Sequence, residues 1–142
     1  MKKALLIKFF AFAVLATTFV ACNRYEEGSN FSLISAKSRV ANNWTMTTST
    51  YELDGNSTTN TGFSDMTITF EKDGAYDMAY KLLGFPLTEV GTWVFNSDKT
   101  GIILSETDGD SETWTLIKLK NKELKASKAY NNGTLTFEFT GE

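Results

Sequence analysis

Residues 66–80 read MTITFEKDGAYDMAY, and this stretch decides the fold. On both sides of Asp73-Gly74, apolar and polar residues alternate, which is typical of strands that bury one face. The Asp-Gly pair supplies the positive φ angles that a tight hairpin turn requires. The stretch therefore predicts two antiparallel strands joined by a short turn.

The same pattern recurs along the chain beyond residue 42 and predicts eight strands. Short polar turns separate them, and such connections join antiparallel neighbours because a parallel crossover needs a dozen or more residues. A meander of eight strands has two unpaired edges unless it closes. We therefore expect an all-β domain, a single antiparallel up-and-down β-barrel of about eight strands, with strands at 43–53, 65–72, 75–83, 88–96, 101–106, 111–120, 122–130 and 133–140.

The barrel interior is either packed or hollow, because eight strands enclose just enough room for side chains or for one small ligand. Dense packing would make the inward residues a plain core, whereas a remaining void would make them a site for an apolar ligand. The inward set is predicted to be Met66, Ile68, Phe70, Met78, Val94, Leu116, Phe137 and Phe139. The candidate ligand-binding residues are Phe70, Met78, Trp93, Trp114 and Phe137.

Residues 82–87, LLGFPL, form an apolar segment that we predict to be a loop containing the only proline of the chain. Most loops are polar because they run over the protein surface. An apolar loop either folds back as a plug on the barrel end or offers a contact surface. The candidate contact residues of this loop are Leu83, Phe85 and Leu87.

The composition excludes several kinds of catalytic chemistry. The chain has no histidine and one cysteine, which removes zinc sites with nitrogen or sulfur ligands and the Ser-His-Asp and Cys-His nucleophiles. The stretch Asp108-Gly-Asp110-Ser-Glu112 lacks the ligand spacing of an EF-hand and is predicted to be a solvated hairpin turn. We expect no catalytic residues, no metal and no cofactor, and hence no enzyme.

The first 21 residues have the pattern of an export signal. Three lysines, Lys2, Lys3 and Lys8, precede an apolar stretch from Phe9 to Ala21. This stretch has 13 residues and is shorter than the roughly 20 that a membrane span needs. The junction Ala21-Cys22 resembles the lipobox of bacterial lipoproteins, and this resemblance implies that Cys22 is the lipid attachment site. The alternative is an ordinary secretory peptide followed by an incidental cysteine.

Three segments follow from this division: a signal peptide at 1–21, a lipid-anchored tether with a short helical turn at 22–37, and the barrel at 38–142. Acyl chains on Cys22 would bind the protein to the outer membrane, on the periplasmic or the cell-surface face. Loss of three lysines with the signal leaves 11 basic against 17 acidic residues, a formal charge of −6. An acidic domain is a poor partner for nucleic acid.

Residues 38–140 resemble the lipocalin-like lipoproteins of Bacteroidetes, which belong to the calycin group. The resemblance rests on Trp44, although Asn42 replaces the usual glycine of the Gly-x-Trp signature, on the hairpin at 66–76, and on two tryptophan-bearing strands, Gly91-Thr-Trp93 and 114–119. It implies a barrel in a secreted, lipid-anchored setting, and ligand binding by analogy with lipocalins.

Two functions are expected from these observations. The first is noncovalent binding of a small apolar or amphipathic ligand by an envelope lipoprotein. The second is a filled barrel that binds an envelope protein through the loop 82–87, as an accessory subunit or a small protease inhibitor.

Overall fold

The computed structural model describes Tyr25, residues 33–59 and residues 61–142. The signal peptide and Cys22 lie outside these described residues. A five-residue helix precedes the strands. The elements are α1 (Ala36–Val40), β1 (Asn43–Leu53), β2 (Asn56–Thr59), β3 (Phe63–Phe70), β4 (Ala75–Leu82), β5 (Phe85–Phe95), β6 (Gly101–Glu106), β7 (Ser111–Leu119), β8 (Glu123–Tyr130) and β9 (Gly133–Gly141).

Eight of these strands close into an antiparallel barrel, as predicted. From β3 to β9, each strand pairs with the next along the chain. Strand β1 closes the barrel, because its first residues pair with β3 and nearly its whole length pairs with β9. Every strand of the barrel therefore has a partner on both sides, which removes the unpaired edges that a meander would leave.

Strand β2 was not predicted. It pairs only with the last residues of β1, from Thr50↔Thr59 to Leu53↔Asn56, and so extends that strand as a hairpin beyond the barrel. All four of its side chains are exposed. Because no face of β2 is buried, its sequence carries no apolar–polar alternation by which a strand could be recognised.

The barrel has two ends that differ in how they are covered. We call the end that carries the turns 54–55, 83–84, 107–110 and 131–132 the upper end. The lower end carries the turns 71–74, 96–100 and 120–122 and also α1. A barrel of this size can admit a ligand only at an end that its own chain leaves uncovered.

The helix α1 covers the lower end. Ser35 caps the helix by accepting a hydrogen bond from the Ser38 amide at 3.1 Å, and Arg39 reaches across to donate to the Leu119 carbonyl at 2.6 Å. The indole of Trp44 donates to the Val40 carbonyl at 2.8 Å. Because both Trp44 and Val40 are almost completely buried, this end of the barrel is closed.

Large side chains pack on one another through the middle of the barrel. The rings of Phe70 and Trp93 lie 5.5 Å apart, and those of Trp114 and Phe137 lie 5.4 Å apart. Aromatic pairs at such separations add attraction beyond the apolar area that they bury. The buried aliphatic residues of the same cluster include Met66, Ile68, Met78, Ile102, Leu104, Leu116, Leu119, Leu124 and Leu135.

Val94 was predicted to face the interior, and this prediction is wrong. The neighbouring residue Trp93 is 3% exposed, whereas Val94 is 57% exposed. Successive side chains of a strand point to opposite faces, so an inward Trp93 places Val94 outside. The run Trp93-Val94-Phe95 is apolar throughout, and its sequence alone could not distinguish the two faces.

The prediction of a loop at 82–87 is also wrong, because these residues form a β-hairpin. Leu82 pairs with Phe85, so the turn consists of Leu83 and Gly84 alone. Both turn residues have positive φ angles, 52° and 85°, as a two-residue hairpin of the primed type requires. Leucine is disfavoured in this conformation, which is why the sequence concealed the turn.

The tip of the β4–β5 hairpin stands clear of the barrel rather than plugging it. Leu83 is 77% exposed, Phe85 is 73% exposed and Leu87 is 41% exposed. Pro86 lies in the first part of β5, ahead of Gly91. Gly91 is the first residue of that strand to pair with β6. Proline is tolerated here because β5 has no partner at this position on the side away from β4.

The described residues ahead of the barrel are partly packed against it. Tyr25 lies in the segment predicted to be a tether, yet it is 6% exposed and belongs to the hydrophobic core cluster. Helix α1 lies at the end of that segment and at the start of the predicted barrel domain. Among the described residues, no helix has both the length and the hydropathy to span a membrane.

Candidate functional site

Three carboxylates face inward at the upper end of the barrel, on the neighbouring strands β5, β6 and β7. Glu106 follows the buried Leu104 by two residues, and Glu112 precedes the buried Trp114 by two, so alternation turns both carboxylates toward the interior. Glu89 has the same orientation on β5 and is likewise partly buried. We call these three residues the carboxylate wall.

Two of the three carboxylates have side-chain partners. Glu112 accepts a hydrogen bond from the Trp114 indole at 2.5 Å and forms an ion pair with Lys128 at 2.6 Å. The same ammonium lies 5.9 Å from the centre of the Trp114 ring. Glu89 accepts a hydrogen bond from the Tyr80 hydroxyl at 2.6 Å. Lys128, the cation facing this wall, is therefore already engaged.

Glu106 differs, because no described side chain donates a hydrogen bond to its carboxylate. Burial raises the pKa of Glu106 above its ordinary value, and the negative charges of Glu89, Asp110 and Glu112 raise it further. The raised pKa means that a negative charge at Glu106 is uncompensated in this environment. Beside it lies a cleft of about 310 Å³, lined by Leu104, Glu106, Asp110, Ser111 and Glu112.

Tyr76, whose ring lies 6.3 Å from Phe70, carries a buried hydroxyl near the same carboxylates. Tyr76 is 3% exposed, and its hydroxyl has no hydrogen-bond partner among the described residues. Burial raises the pKa of this hydroxyl, and the charges of Glu89, Glu106 and Glu112 raise it further, so it stays protonated. Gly91 pairs with Tyr76 on one side and with Glu106 on the other, and it contributes no side chain between them.

The opposite side of the upper end is aromatic. The ring of Phe63 lies 5.7 Å from Tyr80, 5.8 Å from Tyr130 and 5.5 Å from Phe137. Tyr51 continues the row at 6.2 Å from Tyr130. We call these five residues the aromatic wall. Tyr80 joins the two walls, since its ring packs on Phe63 while its hydroxyl donates to the carboxylate wall.

The five predicted ligand-binding residues are all buried, but they do not form one surface. Phe70 and Trp93 pack on each other toward the lower end, where the indole of Trp93 donates to the Glu71 carbonyl at 2.9 Å. Met78 lies between the ends. Trp114 and Phe137 are the two that border the walls of the upper end.

Sequence analysis missed the polar members of this site, although the sequence holds a signal for them. The sequence predicted Leu116 of β7 to face inward, and the same alternation makes Glu112 an inward residue. No residue of β6 was predicted to face inward, although Glu106 alternates with the buried Leu104 in the same way. Reading 108–112 as a solvated turn concealed Glu112. The signal is therefore a carboxylate two residues away from a buried residue of a predicted strand, because such a carboxylate lies on the same face as the buried residue.

The lower end carries a second, shallow cleft of about 340 Å³ on the junction of β1 and β3. It is lined mainly by polar residues and backbone, namely Ala41, Asn42, Asn43, Thr69, Phe70, Glu71 and Lys72. Asn42 there donates to the Glu142 carbonyl at 3.2 Å, so its amide joins the start of β1 to the residue that follows β9. In neither cleft do the described residues include a group of three or more side chains arranged to hold a metal ion.

Comparison with known proteins agrees with this architecture. A de novo designed fluorescence-activating β-barrel is similar with a TM-score of 0.52 at 14% identity, over 78% of this chain and all of the designed one. A redesigned β-barrel has a TM-score of 0.49 at 16% identity, over 79% and 99% of the two chains. At such low sequence identity, structural similarity indicates a shared fold and nothing about function. No curated protein matches the chain.

The family comparison adds a sequence relationship. The model of the family described as "Lipocalin-like domain" matches residues 40–126. The match runs from the end of α1 into β8 and includes the hairpin at 66–76 and all three tryptophans. Because it covers more than half of the chain, this protein belongs to the family of lipocalin-like domains.

Proposed function

We propose that this protein binds a small molecule without catalysis at the upper end of its barrel. The observation that carries the proposal is the unpartnered hydroxyl of Tyr76, buried beside the carboxylate wall. Buried polar groups are normally hydrogen-bonded, and an exception calls for an explanation. A bound molecule that hydrogen-bonds to this hydroxyl explains it here.

The two walls suit an amphipathic molecule. The aromatic wall would take an apolar body, and the carboxylates would accept hydrogen bonds from a polar head. Trp114 would form the floor of this site beside the carboxylates, and Phe137 belongs to the aromatic wall. Phe70 and Trp93 pack on each other toward the lower end, and in this proposal they support the barrel rather than touch the ligand. Met78 is one inward position nearer the upper end of β4 than Tyr76, so it borders the proposed site.

The setting that we propose is the bacterial envelope. Residues 1–21 would direct export, and acyl chains on Cys22 would hold the domain at the outer membrane. The acidic balance of the chain would not attract anionic lipid, so the acyl chains must provide the attachment.

Native mass spectrometry of the protein tests ligand binding. The protein is released from membranes in detergent, mixed with a metabolite and lipid extract of bacterial envelopes, and weighed. We expect a discrete added mass on the protein. Tyr76→Phe removes only the unpartnered hydroxyl, and we expect it to weaken occupancy by about 5–10-fold, as for a lost hydrogen bond. The same spectra report the mass of any acyl groups.

Thr47→Val is the control. It also removes a single hydroxyl, but this hydroxyl donates to the Glu138 carbonyl at 3.1 Å on an exposed position of β1, outside the proposed site. Occupancy should persist in this variant. If the protein carries no added mass at any extract concentration, ligand binding at the upper end is wrong.

The exposed hairpin tip favours a second candidate function, protein binding. Leu83 and Phe85 are both more than 70% exposed, and clustered apolar exposure is common at contact surfaces. We expect Phe85→Asp to change the free energy of unfolding by less than about 0.5 kcal/mol, because the ring packs on little. Chemical denaturation measures this value. A larger loss would show that the tip supports the fold and is not a free surface.

A further inference from the structure

The carboxylate wall also indicates which class of molecule the barrel takes. Among the residues that the structure describes, the three carboxylates of Glu89, Glu106 and Glu112 face one ammonium, that of Lys128, and this ammonium is already paired with Glu112. The two remaining carboxylates leave the site negative. A carboxylate or phosphate on a ligand would be repelled there, whereas a positive charge would be attracted.

The hydrogen-bonding groups of the site also favour a positively charged ligand. An ammonium group donates hydrogen bonds and accepts none. Glu106 offers carboxylate oxygens to which no described side chain donates. The oxygen of the buried Tyr76 hydroxyl is a further acceptor, and it too is unpartnered among the described residues. The same hydroxyl is also one donor, but with Lys128 engaged by Glu112 the free acceptor oxygens still outnumber the free donors at the point where a ligand head would lie.

The aromatic wall adds a third feature that suits a cation. The ring of Phe63 packs on Tyr80 and Tyr130 on the side opposite the carboxylates, and Tyr80 reaches Glu89 through its hydroxyl hydrogen bond. A cation near the face of an aromatic ring is attracted by its quadrupole, and an apolar body attached to the cation would pack on the same rings. Lys128 already shows this arrangement within the protein, since it lies over Trp114 and pairs with Glu112.

We propose that the ligand of this barrel is an organic amine, with an apolar or aromatic body on the aromatic wall and a protonated nitrogen between Glu106 and Tyr76. This inference rests on the proposed function and narrows it to one class of molecule. The charge of the nitrogen selects it over a neutral or anionic molecule of the same shape.

Three small molecules of similar shape and different charge test the proposal: 2-phenylethylamine, the neutral 2-phenylethanol and the anionic 3-phenylpropanoate. The protein is held in nanodiscs of phosphatidylcholine, which carry no net charge, and binding is measured by isothermal titration calorimetry. We expect the amine to bind at least about 10-fold more tightly than the alcohol, and the carboxylate to bind more weakly than both.

Glu106→Gln identifies the group responsible. It removes one charge at nearly constant size, and we expect the affinity for the amine to fall by about 5–10-fold while the affinity for the alcohol changes less than about twofold. Asp77→Asn is the matched control, because Asp77 is an exposed acidic residue on the outer face of β4, next to Tyr76. It removes the same charge outside the barrel, and the affinity for the amine should stay within about twofold.

The outcomes separate this inference from the proposed function. If the alcohol or the carboxylate binds as tightly as the amine, the barrel is a ligand-binding protein but not one for amines. If the amine is preferred but Glu106→Gln leaves its affinity unchanged, the cation is held elsewhere and the assignment to the carboxylate wall is wrong. If none of the three molecules binds, the inference is wrong, and the proposed function is decided separately by native mass spectrometry with the envelope extract.

Discussion

We expect Phe137→Ala to lower the free energy of unfolding by about 3–5 kcal/mol, the usual cost of removing a buried phenylalanine ring. The ring lies 1% exposed among three others, at 5.5 Å from Phe63, 5.4 Å from Trp114 and 6.1 Å from Phe139. Truncation leaves a cavity that these neighbours cannot fill, because each is held by its own strand. Urea denaturation followed by tryptophan fluorescence measures the change.

Phe85→Ala is the matched control for this variant. It deletes the same ring from the hairpin tip, where the side chain is 73% exposed, and its effect should be within about 0.5 kcal/mol. A loss below about 1 kcal/mol for Phe137→Ala would contradict the packed core. It would mean that the interior around this ring is loose enough to collapse or to admit water.

The second large effect is expected at Gly91. Its φ angle is unremarkable, but a Cβ atom built on it would collide with the Ser105 carbonyl and the Glu106 Cα of the neighbouring strand. Backbone cannot move aside as a flexible side chain can, so we expect Gly91→Ala to destabilise the fold by about 2–3 kcal/mol. Thermal unfolding followed by circular dichroism measures the loss.

Thr92→Ala also places an alanine in β5, on the next residue and the opposite face, and serves as the control. Thr92 is exposed on the outer face of β5, and its replacement should change stability by no more than about 0.5 kcal/mol. Equal stability of the two variants would show that β5 and β6 do not approach each other closely at Gly91. Close approach of the two strands would then not be the reason that position 91, between Tyr76 and Glu106, carries no side chain.

Part of the candidate site could be predicted from sequence and part could not. Trp114 and Phe137 were predicted to be interior residues, and they are. Phe70 and Trp93 were predicted beside them, yet they pack toward the other end of the barrel. A period of two residues tells which face a side chain occupies, but the depth of that side chain depends on how neighbouring strands are staggered.

Irregular pairing is a further feature that the sequence concealed. The register shifts within β1 after Met46, within β3 after Ser64 and within β7 after Leu116. Each irregularity changes which residues face inward, so that Leu116 and Leu119 of β7 are both buried although they are three residues apart. Bulges of this kind strengthen the twist that closes a small barrel.

The sequence by itself determined the class of the fold. Alternating apolar residues and turn pairs such as Asp73-Gly74 are local signals, and each specifies a hairpin without reference to the rest of the chain. Short connections then make neighbouring strands antiparallel, and closure follows from the cost of unpaired edges. For this reason the barrel was predictable, whereas β2, with no buried face, was not.

Only the tertiary structure decided where the hairpin tip stands and which polar residues meet. Leu83 adopts a positive φ because Leu82 and Phe85 pair across it, a constraint imposed by two whole strands. Glu89, Glu106 and Glu112 come from three strands, and Tyr76 and Lys128 come from two more. Their charges influence one another only after the barrel closes, because closure brings residues more than fifty positions apart to one end of the interior and limits their contact with water.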